Sequence, residues 1–379
     1  MDIPALIALK PVVVCGLAVA ALSACRPART HGPEAAAEAV FSGLASSKEP
    51  GAAALVRKDG RTVFERGYGA ADLRTGRPID RRTNFRLASV TKQFTAAAVM
   101  LLVHDGKLRY EDSLTSLLPG FPDYGRGVTV RRLLNHTSGL PDYEDLMPPA
   151  DPSAPVEEAQ ITDAGVLALL EKQGAGRFTP GTRWSYSNSG YVVLGLIVAR
   201  VSGRSFPEFL RDRIFVPLGM MDTVAHVRGR DEVPRRAYGH TKEAGAWRET
   251  DQSPTSATLG DGGVYSSLED LARWDDALRL HALLSESEMR PALDPVSVPE
   301  AGPVGPDGAA AAYGFGWFLD PWRGRPRMWH YGETIGFRTA IQRFTRDGVT
   351  AVVLANRADL DAQALALGAA EPFLGSSGK

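Results

Sequence analysis

Ser89-Val-Thr-Lys-Gln-Phe-Thr-Ala-Ala-Ala-Val-Met-Leu-Leu-Val-His-Asp105 is nearly apolar after Lys92 and runs into Gly106, so it is expected to form a buried helix that stops at a glycine cap. Ser89 and Lys92 stand three apart at its start, a spacing that projects both side chains from one face. A serine hydroxyl is a poor nucleophile until a neighbouring base takes its proton, and a lysine can be that base when burial lowers its pKa. The apolar helix supplies the desolvation, and its first amides favour negative charge near Ser89. Spacing alone does not decide the matter, because Ser376 and Lys379 repeat it in the C-terminal tail, where no site is expected.

Upstream, Ala52 to Arg57 and Arg61 to Gly69 are short apolar stretches around Lys58-Asp59-Gly60, a strong hairpin signal. Downstream, helices are expected at Val130 to Leu134, Asp163 to Lys172, Tyr191 to Val201, Phe206 to Phe215 and Leu268 to Leu280. Ser205 with Glu208 and Ser267 with Asp270 read as capping boxes. After a Pro- and Gly-rich stretch from Pro291 to Gly308, Tyr313 to Leu319 alternates. Arg327 to His330, Phe337 to Arg343 and Thr350 to Leu354 are strand-like, and a last helix is expected from Leu360 to Phe373. The fold class that follows is α/β of the α+β type, an antiparallel sheet flanked by helices with a helical subdomain inserted at about residues 86–260.

The chain has 379 residues, 44% of them hydrophobic and 23% charged, which is ordinary globular usage with room for a large core. A net charge of −1 with scattered basic residues excludes a nucleic-acid footprint. Cys15 and Cys25 are the only cysteines; Asp2 and Lys10 precede an apolar run from Pro11 to Ala24, the layout of a signal peptide over residues 1–25. The run falls short of the roughly 20 residues a bilayer span needs, although Ile3 to Leu9 leaves a tilted anchor as the alternative. Leu22-Ser-Ala-Cys25 resembles a bacterial lipobox, which makes Cys25 the expected lipidation site and first mature residue. The alternative is an ordinary signal peptide and a free cysteine. Residues 26–50 read as a tether with one helix around Glu34 to Leu44, 51–356 as the catalytic body, and 357–379 as a C-terminal helix and tail.

Two further constellations stand out. Tyr186-Ser187-Asn188 follows the turn-like Thr179-Pro180-Gly181; its phenol could relay a proton and its amide could hold Lys92 or a substrate carbonyl, or the pair could be a core tyrosine and a helix cap. His330-Tyr331-Gly332 lies between strand candidates, where Gly332 would let a substrate approach closely and His330 reads equally as a ligand or a core histidine. The order Ser89-x-x-Lys92, Tyr186-x-Asn188, His330-x-Gly332 resembles the three motifs of the class C β-lactamase-like and penicillin-binding-protein-like serine hydrolases. Leu133-Leu-Asn-His-Thr-Ser-Gly-Leu-Pro141, Gly262-Gly-Val-Tyr-Ser-Ser267 and Tyr313-Gly-Phe-Gly-Trp317 extend the resemblance over about Pro50 to Asn356.

The resemblance implies that Ser89 attacks a carbonyl, that Lys92 with Tyr186 manages the proton, and that an acyl-enzyme forms without cofactor or metal. The Ser89 and Glu333 amides would hold the oxyanion, Asn188 would position Lys92 and substrate, and His136 and Tyr143 would line the pocket, or equally serve as packing residues. True β-lactamases of this type carry lysine where this chain has His330, and a mostly neutral histidine makes a poor carboxylate partner. The expected substrate is therefore an ester, an amide or a D-amino-acid-containing peptide met in the bacterial envelope, with Glu333 disfavouring anions. The alternatives are a weak β-lactamase or DD-carboxypeptidase, or a non-catalytic lipoprotein that binds peptidoglycan or β-lactams. The expected working unit is a lipid-anchored monomer. No G-x-S-x-G or H-E-x-x-H occurs, which removes the α/β-hydrolase and zinc-hydrolase readings.

Overall fold

The computed structural model describes Met1 and residues 32–44, 46–149, 155–156 and 159–375. Cys15, Cys25 and the leader, the Ser376/Lys379 pair, and part of the acidic, Pro-rich segment from Met147 to Glu158 that could rim the site lie outside them.

Asp59 and Gly60 both take left-handed backbone angles, with φ of 51° and 79°, and join strands Ala52–Lys58 and Arg61–Tyr68 as the Asp-Gly signal predicts. These two pair with three strands from the far end of the chain. The five-stranded antiparallel sheet runs Met328–Thr334, Phe337–Phe344, Val349–Ala355, Ala52–Lys58, Arg61–Tyr68, with Ala52 opposite Ala355 and Lys58 opposite Val349. Alternation sends Ala52, Ala54 and Val56 to one face and Ala53 and Leu55 to the other. On the first face they meet Ala37, Phe41 and Leu44 and the helix Ala362–Ala370; on the second they join the main core under the helices Lys92–His104 and Leu268–Leu280. Both faces are covered, which is why all of Val349–Ala355 is buried.

Residues 33–40 form the helix expected within the tether, and its apolar side is part of this body, because Ala37 and Phe41 bury against the sheet. The inserted region is helical in the main. It also carries a three-stranded sheet of Phe85–Arg86, Val264–Ser266 and Val224–Ala225 and a hairpin of His240–Glu243 with Ala246–Glu249. Strands this short offer no alternation to read, so an all-helical insert was the expectation. Tyr313 to Leu319 is not a strand: it folds back with Tyr313 bridging Phe318, because Tyr313, Phe318, Trp184 and Trp329 gather in one aromatic cluster. The Ser205–Glu208 capping box forms with both bonds. Ser267 caps Asp270 one way only, since the Asp270 carboxylate instead accepts from the Asp222 amide at 2.9 Å and the Thr223 hydroxyl at 2.8 Å. Ser285 and Glu288 form a second full box that the sequence reading passed over.

The sheet is pinned to the helix Leu268–Leu280 by a buried ion cluster. Asp275, 3% exposed, accepts from Arg57 at 2.9 Å, from Arg343 at 2.9 Å and from the Thr350 hydroxyl at 2.7 Å. Removing the carboxylate leaves two guanidinium groups buried around one vacated position. Asp275→Ala is expected to cost about 3–5 kcal/mol, read as a lowered urea midpoint with an unchanged slope.

Candidate active site

Ser89 sits on a single 3-10 turn, Ala88–Thr91, and the α-helix proper begins at Lys92 rather than at Ser89. Ala88 carries a left-handed φ of 48°, a conformation that costs a non-glycine residue about 1–2 kcal/mol. The turn is held from both sides: Leu87 donates its amide to the Val264 carbonyl at 2.8 Å and accepts on its own carbonyl from Thr339 at 2.8 Å. A Cβ built on Gly332 would lie 2.1 Å from the Leu87 carbonyl oxygen. Gly332 therefore makes room for this turn against strand Met328–Thr334, and not for a substrate as the sequence reading had it.

Lys92 is fully buried and its Nζ has three neighbours: Ser89 Oγ at 3.0 Å, Asn188 Oδ1 at 2.8 Å and the Asp261 carbonyl at 3.0 Å. Asn188 turns its Nδ2 to the Glu144 carboxylate at 3.0 Å, so its oxygen must be what faces Lys92. Two of the three neighbours can only accept. A neutral amine has two hydrogens for them and one lone pair left, and the one remaining neighbour able to donate is the Ser89 hydroxyl. Deprotonated Lys92 is thereby aimed at Ser89. Burial lowers its pKa to about 8, against the opposing pull of Asp261, Asp142 and Glu144.

Tyr186 stands beside Ser89, and Lys92 Nζ lies 4.9 Å from the Tyr186 ring centroid. Burial raises the phenol pKa well above its ordinary value, so Tyr186 is a neutral donor at physiological pH. Asn188 opens the helix Asn188–Ser202, its amide held by Asp142 at 2.7 Å behind a Ser187 cap. Four side chains from two stretches of the chain thus meet in one place: Ser89, Lys92, Tyr186 and Asn188.

The other expected site residues fall elsewhere. His330 has no exposed surface; it is pushed to a pKa of about 3 by burial and by Lys92, so the position holds no cation. His136 and Tyr143 are likewise buried among protein groups: Tyr143 gives its hydroxyl to Asp261 at 3.1 Å, and His136 packs 4.3 Å from the Tyr186 ring. Each is a large ring with a polar partner on the inner side, and burying that ring is what brings it in. Glu333 is exposed, with Arg338 at 3.8 Å beside its carboxylate. Sequence reading missed Asp142, Glu144 and Asp261. The first two belong to a helix start, Asp142-Tyr-Glu144, whose cap pattern was the available signal. Asp261 lies in a loop with no periodicity to find. Among the described residues no group of three or more His, Cys, Asp or Glu is placed to hold a metal ion.

A strained turn presenting a serine to a buried lysine, with a neutral phenol at its side, is an arrangement chemically able to carry serine acyl transfer, and it sits on a mixed α/β scaffold. The family model described as Beta-lactamase matches residues 36–371, and the chain belongs to that family of serine hydrolases. It is 32% identical over 355 residues to penicillin-binding protein 4* of Bacillus subtilis, covering 89% of this chain and 75% of that one. It is 32% identical over 303 residues to a D-aminopeptidase of Brucella anthropi, covering 77% of this chain and 53%, about half, of the relative. The structure of the D-amino acid amidase from Ochrobactrum anthropi SV3 complexed with L-phenylalanine amide superposes with a TM-score of 0.72 at 27% identity, over 90% of this chain and 96% of that one.

Only neutral Lys92 can take the serine proton, so acylation is expected to rise with pH and level off above an apparent pKa near 8, well below the ordinary lysine range. The rate of serine modification by a fluorophosphonate, followed from pH 6 to 10, checks this. A rate that climbs unchecked to pH 10 contradicts it.

Proposed function

We propose that the protein hydrolyses ester and amide bonds through an acyl-enzyme on Ser89, with small amine-bearing substrates, D-amino-acid amides and peptides first among them. The observation that carries the reading is Lys92 Nζ at 3.0 Å from Ser89 Oγ with its other two neighbours restricted to accepting. Ser89 passes its proton to Lys92 and bonds to the carbonyl carbon. The oxyanion is taken by the backbone amides of Ser89 and Glu333, worth about 3 kcal/mol per donor in comparable sites. The proton then travels from Lys92 through Tyr186 to the leaving group. Water attacks the ester along the same proton path in reverse and frees Ser89.

Substrate charge follows from the surroundings. The third-motif position holds a neutral, buried histidine, while the exposed carboxylates Glu144 and Glu333 stand near the site, the first tied to Lys92 through Asn188. That field repels a carboxylate and attracts an ammonium group. The similarity to a D-aminopeptidase and to a D-amino acid amidase supports the same class. The second reading, a DD-peptidase or weak β-lactamase, is favoured by the likeness to penicillin-binding protein 4* over three quarters of that protein. A bacterial envelope location, with Cys25 lipidated, is part of the proposal and rests on the leader pattern; the described residues contain no helix long and apolar enough to cross a membrane. A monomer suffices, since one chain supplies every residue named.

Fluorophosphonate is expected to add once to the parent protein and not to Ser89→Ala, read by intact mass. On a panel of neutral esters, D-amino-acid amides, peptidoglycan stem peptides and β-lactams, amine-bearing substrates are expected to lead. Glu144→Gln should raise KM for the D-amino-acid amides by about tenfold and leave neutral esters within about twofold. Preference for stem peptides or β-lactams moves the second reading to first place, and absence of any adduct on folded protein removes both.

A further inference from the structure

Behind Tyr186 lies a run of hydrogen bonds that the proposed reaction does not use. The Ser187 amide reaches His136 Nδ1 at 3.2 Å, His136 Nε2 meets the Tyr313 hydroxyl at 3.1 Å, that hydroxyl meets His330 Nε2 at 3.2 Å, and His330 Nδ1 meets the Tyr331 carbonyl at 2.7 Å. Both ends are backbone groups with one possible role each. An amide N–H only donates, so His136 Nδ1 is a lone pair and its proton lies on Nε2. A carbonyl only accepts, so His330 carries its proton on Nδ1 and a lone pair on Nε2. Tyr313 then accepts from His136 and donates to His330. Tyr191 also lies within reach of the Tyr313 hydroxyl, but Tyr191 spends its own proton on the Leu134 carbonyl at 2.7 Å. A Tyr313 proton given to Tyr191 would leave the His330 lone pair buried and unpaired, at a cost of about 1–3 kcal/mol.

The chain of bonds ends where Tyr186 is anchored. His136 takes the Ser185 amide on its carbonyl at 2.9 Å and the Ser187 amide on its ring, and lays that ring against Tyr186 with centroids 4.3 Å apart. It does so with a left-handed φ of 61°, a conformation a histidine adopts only where the surroundings hold it. Tyr186 is thus gripped through the amides of both neighbouring residues and on one face by a single residue, and Tyr313 fixes which nitrogen of that residue bears hydrogen.

We propose that Tyr313 is a positioning residue, which locks His136 and His330 in opposite neutral tautomers and through His136 sets the Tyr186 phenol over Ser89 and Lys92. The third-motif histidine is, in this arrangement, an internal acceptor for Tyr313 and not a contact for substrate. The inference rests on the acyl-enzyme reading only for its kinetic consequence; the tautomers stand apart from it. The titratable groups that face the chain are Lys92, Tyr186, Tyr191 and Tyr331. Lys92 and burial both oppose a charge on either ring, which keeps the hydrogen order single.

Nitrogen NMR of the full chain labelled with 15N-histidine tests the arrangement. His136 is expected to show a pyridine-type Nδ1 and a pyrrole-type Nε2, His330 the reverse, with neither ring titrating between pH 6 and 8. The same tautomer in both rings, or titration of either in that range, overturns the proposal. Tyr313→Phe, with folding checked by thermal melt, is expected to slow fluorophosphonate acylation by about ten- to a hundredfold and to let the His330 ring take up a proton at a higher pH than in the parent. An acylation rate within about twofold of the parent overturns the positioning role. If the variant does not fold, the parent spectra alone decide. An inert parent with the expected tautomers sinks the hydrolase reading and leaves the hydrogen order standing.

Discussion

A lysine with no surface in water has to satisfy its amine wholly on protein, and Lys92 does so against three oxygens drawn from three separate parts of the chain. An unpaired buried ammonium would be far too costly, and a paired one would be a poor base. The structure settles between these by desolvation that brings the pKa to about 8, with acceptors arranged so that the lone pair of the neutral form has one direction to point. Ser89 on its turn, Asn188 at a helix start and Asp261 on a loop are the three anchors. The elements that carry them must therefore hold register to a few tenths of an ångström.

The sheet and its ion cluster supply that register. Strands from the two ends of the chain lie side by side, so the segments between them are closed into one body and the helix Lys92–His104 shares one apolar core with the sheet's inner face. Gly332 lets the serine turn sit against the edge strand with no side chain between, and Thr339 ties the same turn to the next strand. Strain at Ala88 persists because these contacts leave the turn no relaxed alternative.

Around this centre the protein has placed neutral rings and no cation at the third-motif position. His136, Tyr313 and His330 satisfy one another and are buried with Trp184 and Phe318, an arrangement that trades charge for a fixed hydrogen order. Carboxylates, by contrast, stand close by: Asp142 and Asp261 inside, Glu144 at the exterior. The electrostatic character of the site is set more by these than by the motif residues themselves.

Much of this was legible in the chain. The Asp-Gly turn, the helices at Val130–Leu134 and Leu268–Leu280 and the antiparallel sheet from the chain ends follow from local pattern, because turn chemistry, apolar periodicity and helical spacing act over a few residues; that Tyr186 and Asn188 keep company with Ser89 and Lys92 was expected only from the order of the three motifs and the family they resemble. The roles of His136, Tyr143, His330 and Gly332 did not follow. Whether a histidine meets a substrate or the core, and whether a glycine clears space for a ligand or for another backbone, depends on what packs against it from far along the chain. Tertiary structure alone put Asp261 on Lys92, and Tyr313 between two histidines 194 positions apart in sequence. It did so because burial decides which polar atoms must find each other, and no local pattern encodes that.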